Sequence, residues 1–265
     1  MKVAAYQAPL LPSGSREAVD LIRTRVEWCE SHGVVILCCP EAILGGLADY
    51  AADPREFAID TRGDQLARAL APLASDTVTT IVGFTEVTGT GRLYNTAAIL
   101  HKGAVLGLYR KLYPAINRSV YDAGNQMPVF RVGGLIFGIV ICNDSNYPEP
   151  AKIMASKGAT ALFIPTNNGL PPKQADVAAH ARSVDIALAR ENNICVIRAD
   201  VAGRTNGMVS YGSSGIVDPH GNVLQSAQRL TEELIVADLE VPTPEPSCGN
   251  HRRDPRLAVA HQSRP

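Results

Sequence analysis

Three residues able to do chemistry stand where apolar runs stop. Val34 to Cys39 (VVILCC) leads into Pro40-Glu41, Ala104 to Tyr109 (AVLGLY) into Arg110-Lys111, and Ile139 to Ile141 into Cys142. A carboxylate can serve as a general base and a thiol as a nucleophile, and all three side chains are reactive groups. Strand ends are where α/β sheets present reactive groups, because the chain leaves the core there. Each residue alone has a plainer reading: Cys142 as core filler ending a strand, Lys111 as a surface lysine, Glu41 as a helix-initial or loop acid.

The surroundings of Cys142 weaken its plain reading. After it come Asn143-Asp144-Ser145, then Pro148-Glu149. Asp144 or Ser145 suits an N-cap and Pro148 a first helical turn, so the thiol is expected just before a helix N-terminus. The partial positive charge there stabilises a thiolate, and backbone N–H groups of the turn could receive an oxyanion. Serine hydrolases use a similar strand–nucleophile–helix turn. No histidine is suitably placed to pair with the thiol: His180 falls inside a helical segment, the others in turns, the tail or a helix end. Glu41 is the leading candidate base, since an inward-pointing acid after apolar residues and a proline is partly desolvated, and desolvation makes a carboxylate a better base near neutral pH.

The elements that must position these residues follow from periodicity. Residues 2–7, 34–39, 77–84, 94–100, 104–109, 134–142, 159–165, 194–200 and 233–239 read as strands. Residues 15–32, 64–75, 147–157 and 173–192 carry helical spacing. Residues 211–227 read as a hairpin turning at Asp218-Pro219-His220-Gly221. Strand–helix alternation with hairpins predicts an α/β fold, a mixed sheet system with helices outside. No linker or composition break divides it. Residues 241–265 lack periodicity and read as an irregular tail, either disordered or an arm for a partner.

Composition excludes several classes. With 46% hydrophobic and 19% charged residues, the 265-residue chain can build a large core. A net charge of −1 is no nucleic-acid footprint, and the cluster Arg252, Arg253 and Arg256 is too short to make one. No apolar run approaches the ~18 residues of a membrane span, and the N-terminus lacks signal-peptide character, so a cytoplasmic protein is expected. Cysteines 29, 38, 39, 142, 195 and 248 suit neither a disulfide framework nor a zinc site. Gly89-Thr90-Gly91 lacks the third glycine and following helix of a dinucleotide loop.

Three segments together resemble the nitrilase superfamily of carbon–nitrogen hydrolases: CCPEAILGG (38–46), GLYRKLYP (107–114) and GIVICNDSNYPEPAKIMASKGATALFIPTN (138–167), with GIVDPHGNVL (215–224) matching the family's late hairpin. Their order, with 70 residues from Glu41 to Lys111 and 31 from Lys111 to Cys142, makes the likeness specific. It extends from the N-terminus to about residue 240, giving a hydrolase domain over 1–240 and leaving 241–265 as a tail that could serve oligomer contact. The resemblance implies a four-layer α-β-β-α sandwich, assembly into dimers or larger homo-oligomers, and a metal-free Glu-Lys-Cys triad with no cofactor. Mapped onto this chain, Glu41 is the general base, Cys142 forms a thioester, and Lys111 with the Asn143 N–H stabilises the oxyanion.

Two departures concern the substrate. Many family members carry a second glutamate several residues after the lysine. Here Asn117 or Arg118 stands near that place, and Arg118 could bind an acidic substrate group or serve a structural or intersubunit role. Nitrilases of the family typically carry Trp-Glu after the cysteine and run longer, whereas this chain has Asn143-Asp144, which favours an amidase. Asn143, Asn146, Asn167 and Asn168 are candidate substrate contacts, with Tyr50 and Tyr121 as pocket walls. The expected substrate is a small aliphatic amide or carbamoyl compound. The alternatives are a nitrilase or acyl transferase using the same triad, and a non-catalytic binding or scaffold protein. No nucleic-acid or membrane partner is expected.

Overall fold

The computed structural model describes residues 1–115 and 119–240. In chain order the elements are β1 (Lys2–Pro9), α1 (Glu17–Ser31), β2 (Ile36–Cys38), β3 (Ile59–Asp60), α2 (Gln65–Leu70), β4 (Thr79–Val87), β5 (Leu93–His101), β6 (Ala104–Arg110), β7 (Val129–Val132) and β8 (Leu135–Ile139). There follow α3 (Pro148–Ser156), β9 (Ala161–Pro165), α4 (Ala178–Asn192), β10 (Cys195–Ala199), β11 (Val201–Thr205), β12 (Met208–Tyr211), β13 (Gly215–Val217), β14 (Val223–Ser226) and β15 (Glu233–Asp238).

The strands form two mixed sheets. One runs β12-β11-β1-β2-β4-β5-β6, with β15 also on β1 and β3 on β4; the other runs β14-β13-β10-β9-β8-β7. β1, β2 and β4 are parallel to one another, as are β8, β9 and β10, so their carboxyl ends gather. Period-two alternation decides the layers. Val3, Ala5, Ile36, Cys38, Ile81 and Ile99 share a core with Phe137, Ile139, Phe163 and Ile197 of the second sheet. Their neighbours Ala4, Tyr6, Leu37, Cys39, Val82 and Phe84 pack instead with Ala18, Ile22 and Val26 of α1 and with Leu66 and Leu70 of α2. On the far side, Ala151 and Met154 of α3 and Leu188 and Ala189 of α4 close the second sheet. This is the four-layer α-β-β-α sandwich that the resemblance implies. VVILCC is apolar throughout because its strand is buried on both faces.

Differences from the expected elements have local causes. Only Ile36–Cys38 of the six-residue apolar run pairs as a strand. The expected helix over 173–192 divides into a 3₁₀ turn, Pro172–Val177, and α4. The short strands β3 and β7 and the hairpin β11–β12 were not expected. That hairpin turns at Asn206-Gly207, both with positive φ (46° and 77°), as its tight turn requires. The tail 241–265 lies outside the described residues. Among those described, no helix is long and apolar enough to cross a membrane.

Candidate active site

Glu41 is delivered by the chain leaving β2. Its backbone N–H reaches across to the Thr166 carbonyl beyond β9, 3.3 Å away, tying the two sheets together at this end. The segment lies flat on Gly83 of β4: a Cβ there would sit 2.4 Å from Ala42 N and 2.6 Å from Pro40 O. Only a glycine lets the backbone that carries Glu41 approach so closely. The Glu41 carboxylate is 1% exposed and has a donor on every side. Lys111 Nζ (2.5 Å) and Asn95 Nδ2 (2.8 Å) donate to Oε1, and the Asn167 backbone N–H (2.9 Å) donates to Oε2.

Lys111 follows β6 directly and is 4% exposed. Burial alone would favour its neutral amine, but the Glu41 carboxylate, helped by Asp144, holds the ammonium above the usual lysine range. Cys142 opens a 3₁₀ turn, Cys142–Asn146, three residues past β8. Its φ is 46°, a left-handed conformation rare for a side chain with a Cβ and typical of constrained functional turns. Of the five described cysteines it alone is half-buried; the other four are buried outright.

Asp144 couples these two segments. Its Oδ1 accepts the N–H groups of Leu112 (3.1 Å) and Tyr113 (2.8 Å), just after the lysine. Its Oδ2 accepts Tyr109 Oη–H (2.8 Å) and the Ile141 N–H (2.9 Å), just before the cysteine. This corrects the expectation that Asp144 or Ser145 caps the following helix. The N-cap of α3 is Tyr147, with no side-chain cap, and Ser145 Oγ donates to the Cys142 carbonyl at 2.7 Å.

The expectation that a helix terminus lowers the thiol pKa is also corrected. Burial, then the Glu41 carboxylate, pushes Cys142 up to about 12, outweighing Lys111 and Arg198. At neutral pH the sulfur rests as a thiol, so a nucleophilic role requires a base. Its Sγ lies 3.9 Å from Asn168 Oδ1. That amide is oriented by fully buried Asp200, which accepts Asn168 N–H (3.0 Å) on Oδ1 and Nδ2–H (2.9 Å) on Oδ2.

Glu41, Lys111 and Cys142 line one cavity of about 160 Å³. Tyr50, Tyr121, Asn143, Asn146, Asn167 and Asn168 line it too. Several of these side chains already have protein partners: Asn167 donates to the Glu41 carbonyl and accepts from Gly169 N–H, and Asn146 Nδ2 donates to Asn143 Oδ1. Asn117 and Arg118 lie outside the described residues. His180 also borders the cavity, from α4.

Sequence reasoning missed Asn95, Asp200, Asp185 and Arg198. The available signal was a charge inside an apolar strand: ICVIRAD places Arg198 and Asp200 where a charged group must find a buried partner. Among the described residues, no group of three or more His, Cys, Asp and Glu side chains is arranged to hold a metal ion.

Residues 2–245 match the model of the carbon-nitrogen hydrolase family. The hydrolase in the pqqF 5′ region of Pseudomonas protegens is 30% identical, over 91% of this chain and 83% of that protein. A nitrilase of Pyrococcus abyssi is 31% identical over 65% of this chain, and the match spans 63% of its own length. Among solved structures, a mutant of the Nesterenkonia AN1 amidase, from the nitrilase superfamily, superposes with a TM-score of 0.76 at 25% identity, over 90% of each chain. Over residues 2–245, nearly its whole length, the chain belongs to the carbon–nitrogen hydrolase family.

Proposed function

We propose that the protein is an amidase that hydrolyses a small aliphatic amide or carbamoyl compound to a carboxylic acid and ammonia or an amine, through a thioester on Cys142. The observation that carries this reading is the meeting of Glu41, Lys111 and Cys142 in one small cavity, with Lys111 Nζ 2.5 Å from Glu41 Oε1. Glu41 takes the thiol proton as Cys142 Sγ attacks the amide carbon. The oxyanion forms between the Lys111 ammonium and the Asn143 N–H. Glu41 returns the proton to the leaving nitrogen, the C–N bond breaks, and ammonia or amine departs. Water, deprotonated by Glu41, then attacks the thioester; the acid leaves and the thiol is restored. A thiol held protonated by burial suits this order of events, because the proton is needed on the leaving group one step later.

Asn143-Asp144 after the nucleophile supports an amide over a nitrile, and the size of the cavity supports a short acyl group. The test is ammonia release from a panel of aliphatic amides, carbamoyl compounds and nitriles, with Cys142→Ala as the blank. Turnover of amides that disappears in the blank is expected. Release from nitriles alone, or equal release from the blank, overturns the reading.

A further inference from the structure

Behind the cysteine turn lies a buried ion pair that the chemistry above does not use. Arg198, 3% exposed on β10, donates from Nε (3.0 Å) and Nη2 (2.6 Å) to the carboxylate of Asp185 on α4, itself fully buried. Its Nη1 donates to Thr166 Oγ1 at 2.9 Å, and its Nη2 also donates to Ser145 Oγ at 3.1 Å. Receiving that bond, the Ser145 hydroxyl spends its own proton on the Cys142 carbonyl, 2.7 Å away.

That carbonyl shares a peptide plane with the Asn143 N–H. The group is trans and rigid, so its C=O and N–H point in opposite directions and turn together. Pinning the carbonyl therefore fixes the direction of the N–H. Among the described residues no acceptor takes the Asn143 N–H, and Asn143 lines the cavity. Burying an arginine and an aspartate is costly, and a well-packed apolar pair often serves stability as well or better. The pair instead reaches the one serine that holds this peptide.

We infer that Ser145 and Arg198 are positioning residues that aim the Asn143 N–H at the oxyanion, with Asp185 locking the guanidinium. The inference rests on the reading of Cys142 as nucleophile. It makes the oxyanion donor depend on the Ser145 hydroxyl, whose proton is committed to the Cys142 carbonyl, although Ser145 and Arg198 also line the cavity.

The test uses the full chain and butyraldehyde, which adds to a catalytic thiol and places a thiohemiacetal oxygen where the oxyanion forms. Three quantities are read: butyraldehyde affinity, measured as protection of Cys142 from iodoacetamide; kcat and KM for ammonia release from butyramide; and the iodoacetamide rate itself, which passes through no oxyanion. Ser145→Ala is expected to weaken butyraldehyde and lower kcat together, by about 10- to 100-fold. KM and the alkylation rate stay near those of the parent, and Ser145→Thr, which keeps the hydroxyl, retains parent-like affinity. Because Arg198→Met alone leaves buried Asp185 only the looser contact with Arg182 Nη1 at 3.5 Å and can fail to fold, the relay is tested in the double variant Asp185→Leu/Arg198→Met, which should show the same loss. Parent-like butyraldehyde affinity in Ser145→Ala or in the double variant overturns the inference, as does an alkylation rate that falls as far as kcat. A parent protein that forms no adduct on Cys142 overturns the functional reading instead.

Discussion

Replacing Asp144 by Asn tests how the site is held together. The carboxylate is fully buried and accepts four bonds, from the N–H groups of Leu112, Tyr113 and Ile141 and from Tyr109 Oη. An asparagine can keep its oxygen toward Leu112 and Tyr113 and turn its Nδ2 toward the other two. The Tyr109 hydroxyl can then rotate to accept, but the Ile141 N–H cannot. The opposite orientation strands two backbone donors and is worse. One orphaned buried N–H costs about 1–3 kcal/mol, and the bonds to the remaining oxygen lose their charge assistance. Burial pushes the Asp144 pKa up, so relief of that desolvation returns part of the loss. A net destabilisation of about 2–4 kcal/mol follows, or roughly 5–15 °C in Tm. Asp144→Ala strands all four donors at about 4–12 kcal/mol, comparable to the whole stability of a typical domain, and should not accumulate as folded protein. Urea and thermal unfolding of Asp144→Asn against the parent is the assay. A stability within about 0.5 kcal/mol of the parent, the range of ordinary surface changes, would refute the coupling role given to this side chain.

Three further outcomes are expected. Gly83→Ala drives a methyl into the backbone of Pro40 to Ala42, so it should cost about 1–3 kcal/mol and lower kcat through displacement of Glu41; unchanged turnover would show that the close contact does not position the base. Asp200→Asn removes a charge that raises the Cys142 pKa and frees the Asn168 amide to turn its N–H toward sulfur; the iodoacetamide pH profile of Cys142 should move to lower pH, and an unmoved profile counts against it. Burial holds Cys29, Cys38, Cys39 and Cys195 protonated well above an ordinary thiol. Near and above pH 9 the unfolded chain releases these protons while the fold keeps them, so stability falls as pH rises, by up to about 1.4 kcal/mol per pH unit for each thiol; equal urea midpoints at about pH 8 and 10 would contradict this sign.

The sequence reveals the candidate site better than its supports. Glu41, Lys111 and Cys142 are legible because each ends an apolar run, and a run buried on both faces advertises itself in composition. Asn95, Asp185, Arg198 and Asp200 reach the site through space, from strands and a helix far apart in the chain. Asp144 was misread as a helix cap because a cap is a local pattern, whereas three of its four bonds reach the segment of Tyr109 to Tyr113. The thiol was misjudged for a related reason: a helix terminus can be read locally, but the desolvation and carboxylate that outweigh it exist only once the sheets pack. The hairpin β11–β12 is different, since Asn206-Gly207 between short alternating runs carries a readable turn signal.

The central claim is that Glu41 activates Cys142 for covalent attack. The most direct measurement is peptide mass spectrometry of the full chain, acid-quenched during turnover of the best amide from the panel. An acyl increment on the Cys142 peptide is predicted, released as a hydroxamate by hydroxylamine and absent from both Cys142→Ala and Glu41→Gln. Turnover without that adduct, or turnover surviving in Glu41→Gln, would contradict the account.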